Sequence, residues 1–168
     1  MGRDAAKAAG NPYFEARLDA AKRINRQFSS REGASALIGI SADSLAKYES
    51  NVCKTVPPES VLAMSKGYGA PELINWYCST QCPIGRQTVC TVVPKSLEQV
   101  TLRMIHLLSD VDTMQMALVE ITYDGFIGGE ELAIMEQILG YFDRVAQVIA
   151  ELKIWCAKNI SAGLRRVG

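Results

Sequence analysis

Histidine occurs only once in the 168 residues, at His106, and the chain has no phosphate-binding glycine loop, nucleophile elbow or paired-carboxylate motif. Enzymes place such groups in fixed arrangements to move protons or attack a substrate. We therefore expect no enzymatic activity and no cofactor. His106, among apolar neighbours, is expected to be a partly exposed helix residue.

Long apolar runs are also missing. No segment has 18 or more uninterrupted apolar residues, and the amino terminus lacks the apolar block of a secretory signal. We expect a cytoplasmic protein without membrane contact. An apolar fraction of 48% is sufficient for a buried core without disulfides.

Cysteine is sparse and odd in number, with five residues unevenly spread along the chain. This distribution does not match a secreted disulfide framework. Cys78, Cys82 and Cys90 offer three thiolates for a metal or redox-sensing site, but they lack the paired two-residue spacing of zinc sites. Buried or tolerated thiols are the preferred interpretation, and a metal-dependent sensor is the minor alternative.

The sequence has no net charge, yet its charges are unevenly divided. Residues 1–67 carry ten Lys and Arg against seven Asp and Glu, whereas residues 95–160 carry five against ten. A mildly basic first part is suited to phosphate, and an acidic second part is suited to protein.

Helix signals fill the first part of the chain. Asn11-Pro12 predicts the start of a first helix that runs to about Arg26. Its expected inner face consists of Phe14, Leu18 and Ala21. Second and third helices are predicted after Ser30 and Ser41, and a fourth and a fifth after Pro57-Pro58 and Pro71.

A long helical hairpin is predicted for residues 95–160, because apolar residues recur there every seven positions. The rows of the first helix are Leu97, Met104, Val111 and Leu118, and Val100, Leu107, Met114 and Ile121. Those of the second are Met135, Phe142, Ile149 and Cys156, and Ile138, Val145 and Leu152. Each helix would have about 27 residues and a length of about 40 Å.

Two helices alone leave apolar residues uncovered. The uncovered residues are predicted to be Leu102, Ile105, Leu108, Val119, Leu139 and Val148. Pairing of two hairpins into a four-helix bundle would bury them in a homodimer, and docking against the chain's own first part is the alternative. The expected organisation is a domain at 1–77, a linker at 78–94, the hairpin at 95–160 and a flexible tail at 161–168.

The segment from Ser30 to Glu49 has the spacing of a helix-turn-helix. Small residues at Ala34 and Ser35 allow two helices to cross closely, and Gly39 can reverse the chain. Ile40 and Leu45 would then fix the crossing angle. The first turn of the third helix is left free to enter a DNA major groove.

This segment resembles the Cro and phage-repressor family, also called the xenobiotic-response-element family. The resemblance covers residues 12–70 and is carried by Ile38-Gly39-Ile40-Ser41 and Lys47-Tyr48-Glu49. The chain as a whole, with its acidic hairpin, looks like regulators from Firmicutes and their phages. The resemblance implies an all-α fold, with a five-helix lambda-repressor-like domain before the hairpin.

By position, the resemblance places Arg31 where the family often has a glutamine that grips phosphate. The outer face of the third helix then carries the residues that would read bases, which are Ala42, Asp43, Ser44 and Lys47. Arg23, Arg26 and Lys54 are further candidates for phosphate contacts. Departures from the family pattern include Asn51, where a glycine is common, and Asp43, whose carboxylate repels phosphate unless it accepts from a cytosine amine. Alternatively, Asp43 stabilises the start of the third helix and pairs with Lys47 one turn on.

The expected function is therefore that of a repressor-like regulator that binds double-stranded DNA as a dimer. A phage or host adaptor is the main alternative. In that case the acidic hairpin holds a protein partner and the helix-turn-helix no longer binds DNA.

Overall fold

The computed structural model describes the backbone of residues 10–93 and 95–164 and the side chains of residues 10–93 and 95–160. This part of the chain is helical and contains no β-strand, so the predicted all-α class is confirmed. The α-helices are α1 (Pro12–Arg23), α2 (Arg31–Ile38), α3 (Ala42–Glu49), α4 (Pro58–Tyr68), α5 (Glu72–Thr80), α6 (Gly85–Thr88), α7 (Leu97–Ser109), α8 (Val111–Ile121) and α9 (Leu132–Leu164), with a 3₁₀ helix at Arg26–Ser29.

The described residues fall into two compact units. The first contains residues 10–89 and the end of α9 from Lys158, and the second is Cys90–Ala157. The stretch predicted as a linker at 78–94 is partly folded, because it contains the end of α5 and all of α6. The predicted tail at 161–168 begins in helix, since α9 continues to Leu164, and residues 165–168 lie outside the described part.

Helix α1 begins where the sequence predicts. The Asn11 side chain accepts hydrogen bonds from the backbone N–H groups of Tyr13 and Phe14, and Pro12 occupies the first helical position. The helix ends at Arg23, before the predicted end at Arg26.

The inner face of α1 is rotated from the predicted one. The buried residues of this helix are Tyr13, Ala16, Arg17 and Ala20, whereas Phe14, Leu18 and Ala21 are only partly buried. The apolar pattern was misleading because a charged residue, Arg17, lies on the inner side with partners of its own.

The core of the first unit is assembled from all of its longer helices. Its fully buried large side chains include Tyr13, Leu45, Met64, Tyr68 and Leu73. Two ring pairs, Tyr13 with Trp76 and Phe28 with Tyr68, meet edge to face with centroids 5.3 Å apart.

The second unit is an antiparallel hairpin, as predicted. Later residues of α9 contact earlier residues of α7: Glu151 pairs with Arg103, and the Tyr141 hydroxyl donates to the Leu107 carbonyl at 2.7 Å. The first arm is broken at Asp110 into α7 and α8 and is not the predicted continuous helix. Ser109 Oγ donates to the His106 carbonyl at 2.6 Å, which competes with helical backbone bonding just before the break.

The seam of the hairpin is also rotated on α9. Ile138, Tyr141 and Val148 are fully buried, whereas Phe142 and Ile149 of the predicted row are 45% and 40% exposed. The prediction that Val148 lies off the seam is therefore wrong. Tyr141 and Val148 form the second buried row, since the Tyr141 hydroxyl has a backbone acceptor inside the hairpin.

The two arms are joined by the predicted turn. Gly125 has a positive φ of 75°, and Asp124 Oδ1 accepts from the N–H of Phe126 at 3.0 Å. Within the described residues, no helix has both the length and the apolar content needed to cross a lipid bilayer.

Candidate nucleic-acid interface

Helices α2 and α3 are joined by a turn of three residues, Gly39 to Ser41. Gly39 has φ 73° and ψ 14°, a left-handed conformation that glycine adopts without steric cost. Ser30 Oγ accepts from the N–H of Gly33 at 3.0 Å, and Ser41 Oγ accepts from the N–H of Ser44 at 3.1 Å. The sequence therefore predicts the start of both helices and the reversal between them.

The inner sides of α2 and α3 are anchored by Ala34 and Leu45, neither of which has solvent exposure. At Gly33, the backbone of α2 also lies close to the backbone of the preceding 3₁₀ helix. A Cβ there would lie 2.1 Å from the Gln27 carbonyl oxygen in the 3₁₀ helix. No larger residue fits at this position, so the amino end of α2 is held tightly against the segment before it.

The outer face of α3 reaches solvent through Asp43 and Lys47. Asp43 and Lys47 form an ion pair one helical turn apart, with Oδ2 and Nζ separated by 2.7 Å and side chains 76% and 53% exposed. The hydrogen bond from Lys47 to Asp43 raises the pKa of Lys47. Ala42 and Ser44 are half-buried beside the pair, and Ser41 Oγ donates to Ser44 Oγ at 2.8 Å.

A buried cluster of charges lies at the carboxyl end of α3. Glu49 is fully buried and accepts hydrogen bonds from Arg17 Nε at 2.6 Å and Arg17 Nη2 at 2.9 Å. Arg31 Nε donates to the same carboxylate at 2.8 Å. The cluster therefore holds two guanidinium groups around one carboxylate, which leaves one net positive charge.

Arg31 is the member of this cluster that reaches the surface. Its side chain is 23% exposed, and only its Nε takes part in the hydrogen bonds and ion pairs found in the described part of the chain. Its two terminal nitrogens thus remain available for an anion, while Glu49 fixes the orientation of the guanidinium plane.

The other predicted phosphate contacts differ in their surroundings. Arg23 pairs with Asp19 within α1, with Nε and Oδ2 2.6 Å apart. Arg26 and Lys54 are exposed, in the 3₁₀ helix and in the loop after α3 respectively. Residues 10–89 contain nine Lys and Arg against seven Asp and Glu, so the excess of positive charge within this segment is small.

The loop after α3 explains one departure from the family pattern. Asn51 has φ 56°, the left-handed conformation for which glycine is usually selected and which asparagine tolerates best among other residues. The Asn11 side chain donates to Asn51 Oδ1 at 2.8 Å and to the Tyr48 carbonyl at 2.9 Å. The cap of α1 is therefore also the support of this loop.

The cysteines are not assembled into a site. All five are free thiols of intermediate exposure. Within residues 10–93 and 95–160, no group of three or more His, Cys, Asp or Glu side chains is arranged to hold a metal ion. Cys82 Sγ instead accepts from the N–H of Gly85 at 3.4 Å, and both Cys78 and Cys82 pack against the core of the first unit.

Comparison of the chain with protein-family models, curated proteins and solved structures finds no match.

Sequence analysis missed the Arg17–Glu49–Arg31 cluster. Its signal was present, since Arg17 falls on the face of α1 that is otherwise apolar and Glu49 closes a helix whose inner side includes Leu45. Burial of Arg17 and Glu49 could be predicted only if the two residues were known to pair with each other. Their 32-residue separation prevents that assignment from local pattern alone.

Proposed function

We propose that this protein is a sequence-specific, DNA-binding transcriptional regulator of the Cro and phage-repressor type. The observation that carries this proposal is the outer face of α3, on which Asp43 and Lys47 are exposed while Leu45 anchors the opposite side in the core. A short helix held in this way can enter a major groove with its polar side chains towards base edges.

The roles of the surrounding residues follow from their contacts. Lys47 would donate to a guanine edge or a phosphate, and Ser44 would add a weakly selective hydrogen bond. Arg31, oriented by Glu49, would bind backbone phosphate through its terminal nitrogens, with Arg26 and Lys54 as further phosphate contacts. Such contacts position the protein on the duplex, whereas α3 selects the sequence.

The regulator is proposed to act as a dimer in the cytoplasm. Two copies would place their α3 helices in successive major grooves, with half-sites separated by about 34–36 Å. Exposed apolar residues of the hairpin supply a surface for dimer formation. A protein-interaction adaptor is the alternative that the experiment below separates from this function.

Selection of bound duplexes from a random DNA pool tests the proposal. We expect enrichment of a two-fold symmetric sequence, and Lys47→Ala should lower its affinity about 5- to 100-fold while helical content is unchanged. Lys66→Ala removes an equal charge from an exposed position on α4 and serves as the control. No enrichment, together with no salt-dependent retention on DNA at low salt, would favour the adaptor.

Arg31 is unsuitable as the only test of DNA binding. Its removal also takes one partner from the buried Glu49 carboxylate, so lost binding would be mixed with lost stability. Lys47 has no such second role, because its ion pair with Asp43 is on the surface.

A further inference from the structure

One face of the hairpin carries an unusually large apolar surface. Eight large apolar side chains on it are between 40% and 68% exposed: Leu102, Ile105 and Leu108 on α7, Val111 and Val119 on α8, and Leu139, Phe142 and Ile149 on α9. We call this set the apolar face. Five of these eight residues coincide with the predicted dimer contacts, and the other three, Val111, Phe142 and Ile149, were predicted for the seam.

The hairpin has a polar edge opposite the apolar face, and the contacts along it show why the apolar residues share one face. Arg103 on α7 pairs with Glu151 on α9 and also contacts Gln147. The polar sides of the two helices thus meet along this edge. With 3.6 residues per turn, the exposed apolar residues of α7 and α9 lie on the opposite side of each helix, so they meet along the other edge of the hairpin.

Buried polar contacts hold the polar edge closed within one copy. The Glu151 carboxylate is buried and lies 3.4 Å from Lys95 Nζ in addition to its contacts with Arg103. The Glu151 carboxylate at this edge is therefore already paired with basic groups of the same chain. The apolar face has no equivalent cover within the second unit, which leaves it as the surface that needs a partner.

The size and pattern of the apolar face suit a second copy of this chain. A stable interface buries about 800 Å² on each partner, and eight large side chains that are about half exposed supply an area of that order. Both arms contribute, so a two-fold operation sets the apolar residues of one arm against those of the other copy. The result has the layers of a four-helix bundle.

We propose that the apolar face is the homodimer interface and that the two-fold axis runs parallel to the hairpin. This inference deepens the dimer of the proposed function. In this arrangement α7 of one copy packs on α9 of the other, and the amino ends of both α7 helices lie at the same end of the bundle. In both copies the chain then enters the bundle at this end, which suits adjacent half-sites on one duplex.

Charge supplies the reason for choosing this axis. Glu98, in the first turn of α7, and Lys153, two residues after Glu151 on α9, are both exposed. They lie at the same end of the hairpin, on the side of the apolar face. An axis parallel to the hairpin brings Glu98 of each copy towards Lys153 of the other. An axis perpendicular to the helices would instead bring Glu98 to the Val119 end of the partner and leave both charges unpaired.

Neighbouring residues on α7 provide a matched test of the interface. Ile105 lies on the apolar face, whereas His106 is exposed and points about 100° away from Ile105 around the helix. Ile105→Asp should raise the dimer dissociation constant at least about 30-fold in analytical ultracentrifugation, and His106→Asp should leave it within about 3-fold of the unsubstituted protein. Circular dichroism should show folded helices in both. A monomeric unsubstituted protein, or a dimer equally tolerant of both substitutions, would overturn the interface.

Charge reversal tests the axis separately. At low salt, Glu98→Lys and Lys153→Glu should each weaken the dimer about 2- to 5-fold, and the double variant should return to the original affinity. Failure of the double variant to recover would overturn the parallel axis. These measurements need no DNA, so a dimer that fails to bind any duplex would reject the proposed function while leaving the interface intact.

Discussion

Arg17 in α1 and Glu49 at the end of α3 form a bidentate ion pair in which both side chains are buried. The same arginine donates through Nη1 to the carbonyl groups of Phe28 at 2.8 Å and Ser29 at 3.1 Å. One side chain therefore ties together α1, the 3₁₀ helix and α3. The direction in which α3 leaves the core depends on this contact.

Glu49→Gln should lower the free energy of unfolding by about 3–5 kcal/mol, because two guanidinium groups would then share one neutral amide. Urea denaturation followed by circular dichroism measures the change. Asp43→Asn removes a carboxylate that is exposed on the same helix and should have little effect. Equal stability of the two variants would show that the buried pair does not stabilise the fold.

Substitution of Tyr68, unlike that of Glu49, is expected to stabilise the fold. The Tyr68 hydroxyl is buried and has no hydrogen-bond partner in the described part of the chain, while the Tyr68 ring packs on Phe28. Tyr68→Phe should therefore raise the free energy of unfolding by about 1–3 kcal/mol. Tyr13→Phe is the control, since the Tyr13 hydroxyl donates to Gln81 Oε1 at 3.4 Å and its loss should be slightly destabilising. A destabilised Tyr68→Phe would contradict this argument.

The pH dependence of stability should follow from the same phenol. Burial, followed by the nearby Glu49 carboxylate, raises the pKa of Tyr68 above its ordinary value of 10.0. Above about pH 10 the folded state therefore keeps a phenol proton that the unfolded state releases. The contribution of this pKa difference to the free energy of unfolding is complete below about pH 10 and is lost as the pH rises further. Denaturation at a series of alkaline pH values should show a shallower loss for Tyr68→Phe. An unchanged slope would assign the alkaline loss to other groups.

Asp43 should control how strongly and how selectively the protein binds DNA. Asp43→Asn removes a carboxylate that repels phosphate and frees Lys47, so binding to random DNA at low salt should rise on the order of 5-fold. Selection should also lose any preference for a cytosine whose amine the carboxylate accepts from. Glu59→Gln, at an exposed position on α4, is the control. Weaker binding by Asp43→Asn would show that the carboxylate supports the complex.

Local signals predicted the starts of the first three helices well. The Asn11 cap, the Ser30 and Ser41 caps and the Gly39 reversal are confirmed, because each depends on residues within a few positions of one another. The break at Asp110 was missed, since the apolar heptad pattern continues across it.

The faces of the helices were harder to predict. On both α1 and α9, a polar or charged residue replaced an apolar one on the inner side, and the apolar period then indicated the wrong rotation. Arg17 is satisfied by Glu49, and Tyr141 by the Leu107 carbonyl, 32 and 34 residues away in the sequence. Burial of such residues depends on tertiary partners, which no local period contains.

Arg31 is partly exposed as a phosphate contact requires, but its bonding was not foreseen. Arg31 shares the Glu49 carboxylate with Arg17, and that relation required the folded arrangement of three helices. By contrast, the Asp43–Lys47 pair follows from a spacing of four residues and was predictable.

Gly67 in α4 is remote from the outer face of α3, yet it influences how that face is presented. A Cβ at this position would lie 2.3 Å from Cγ2 of Ile38, so α2 and α4 touch where one of them has no side chain at all. Ile38 is the last residue of α2 and precedes the Gly39 reversal. A single added methyl group would force Ile38 to shift at the very end of α2, directly before the turn that leads to the helix proposed to probe the groove. The proposed selectivity would in this way depend on a residue outside that helix.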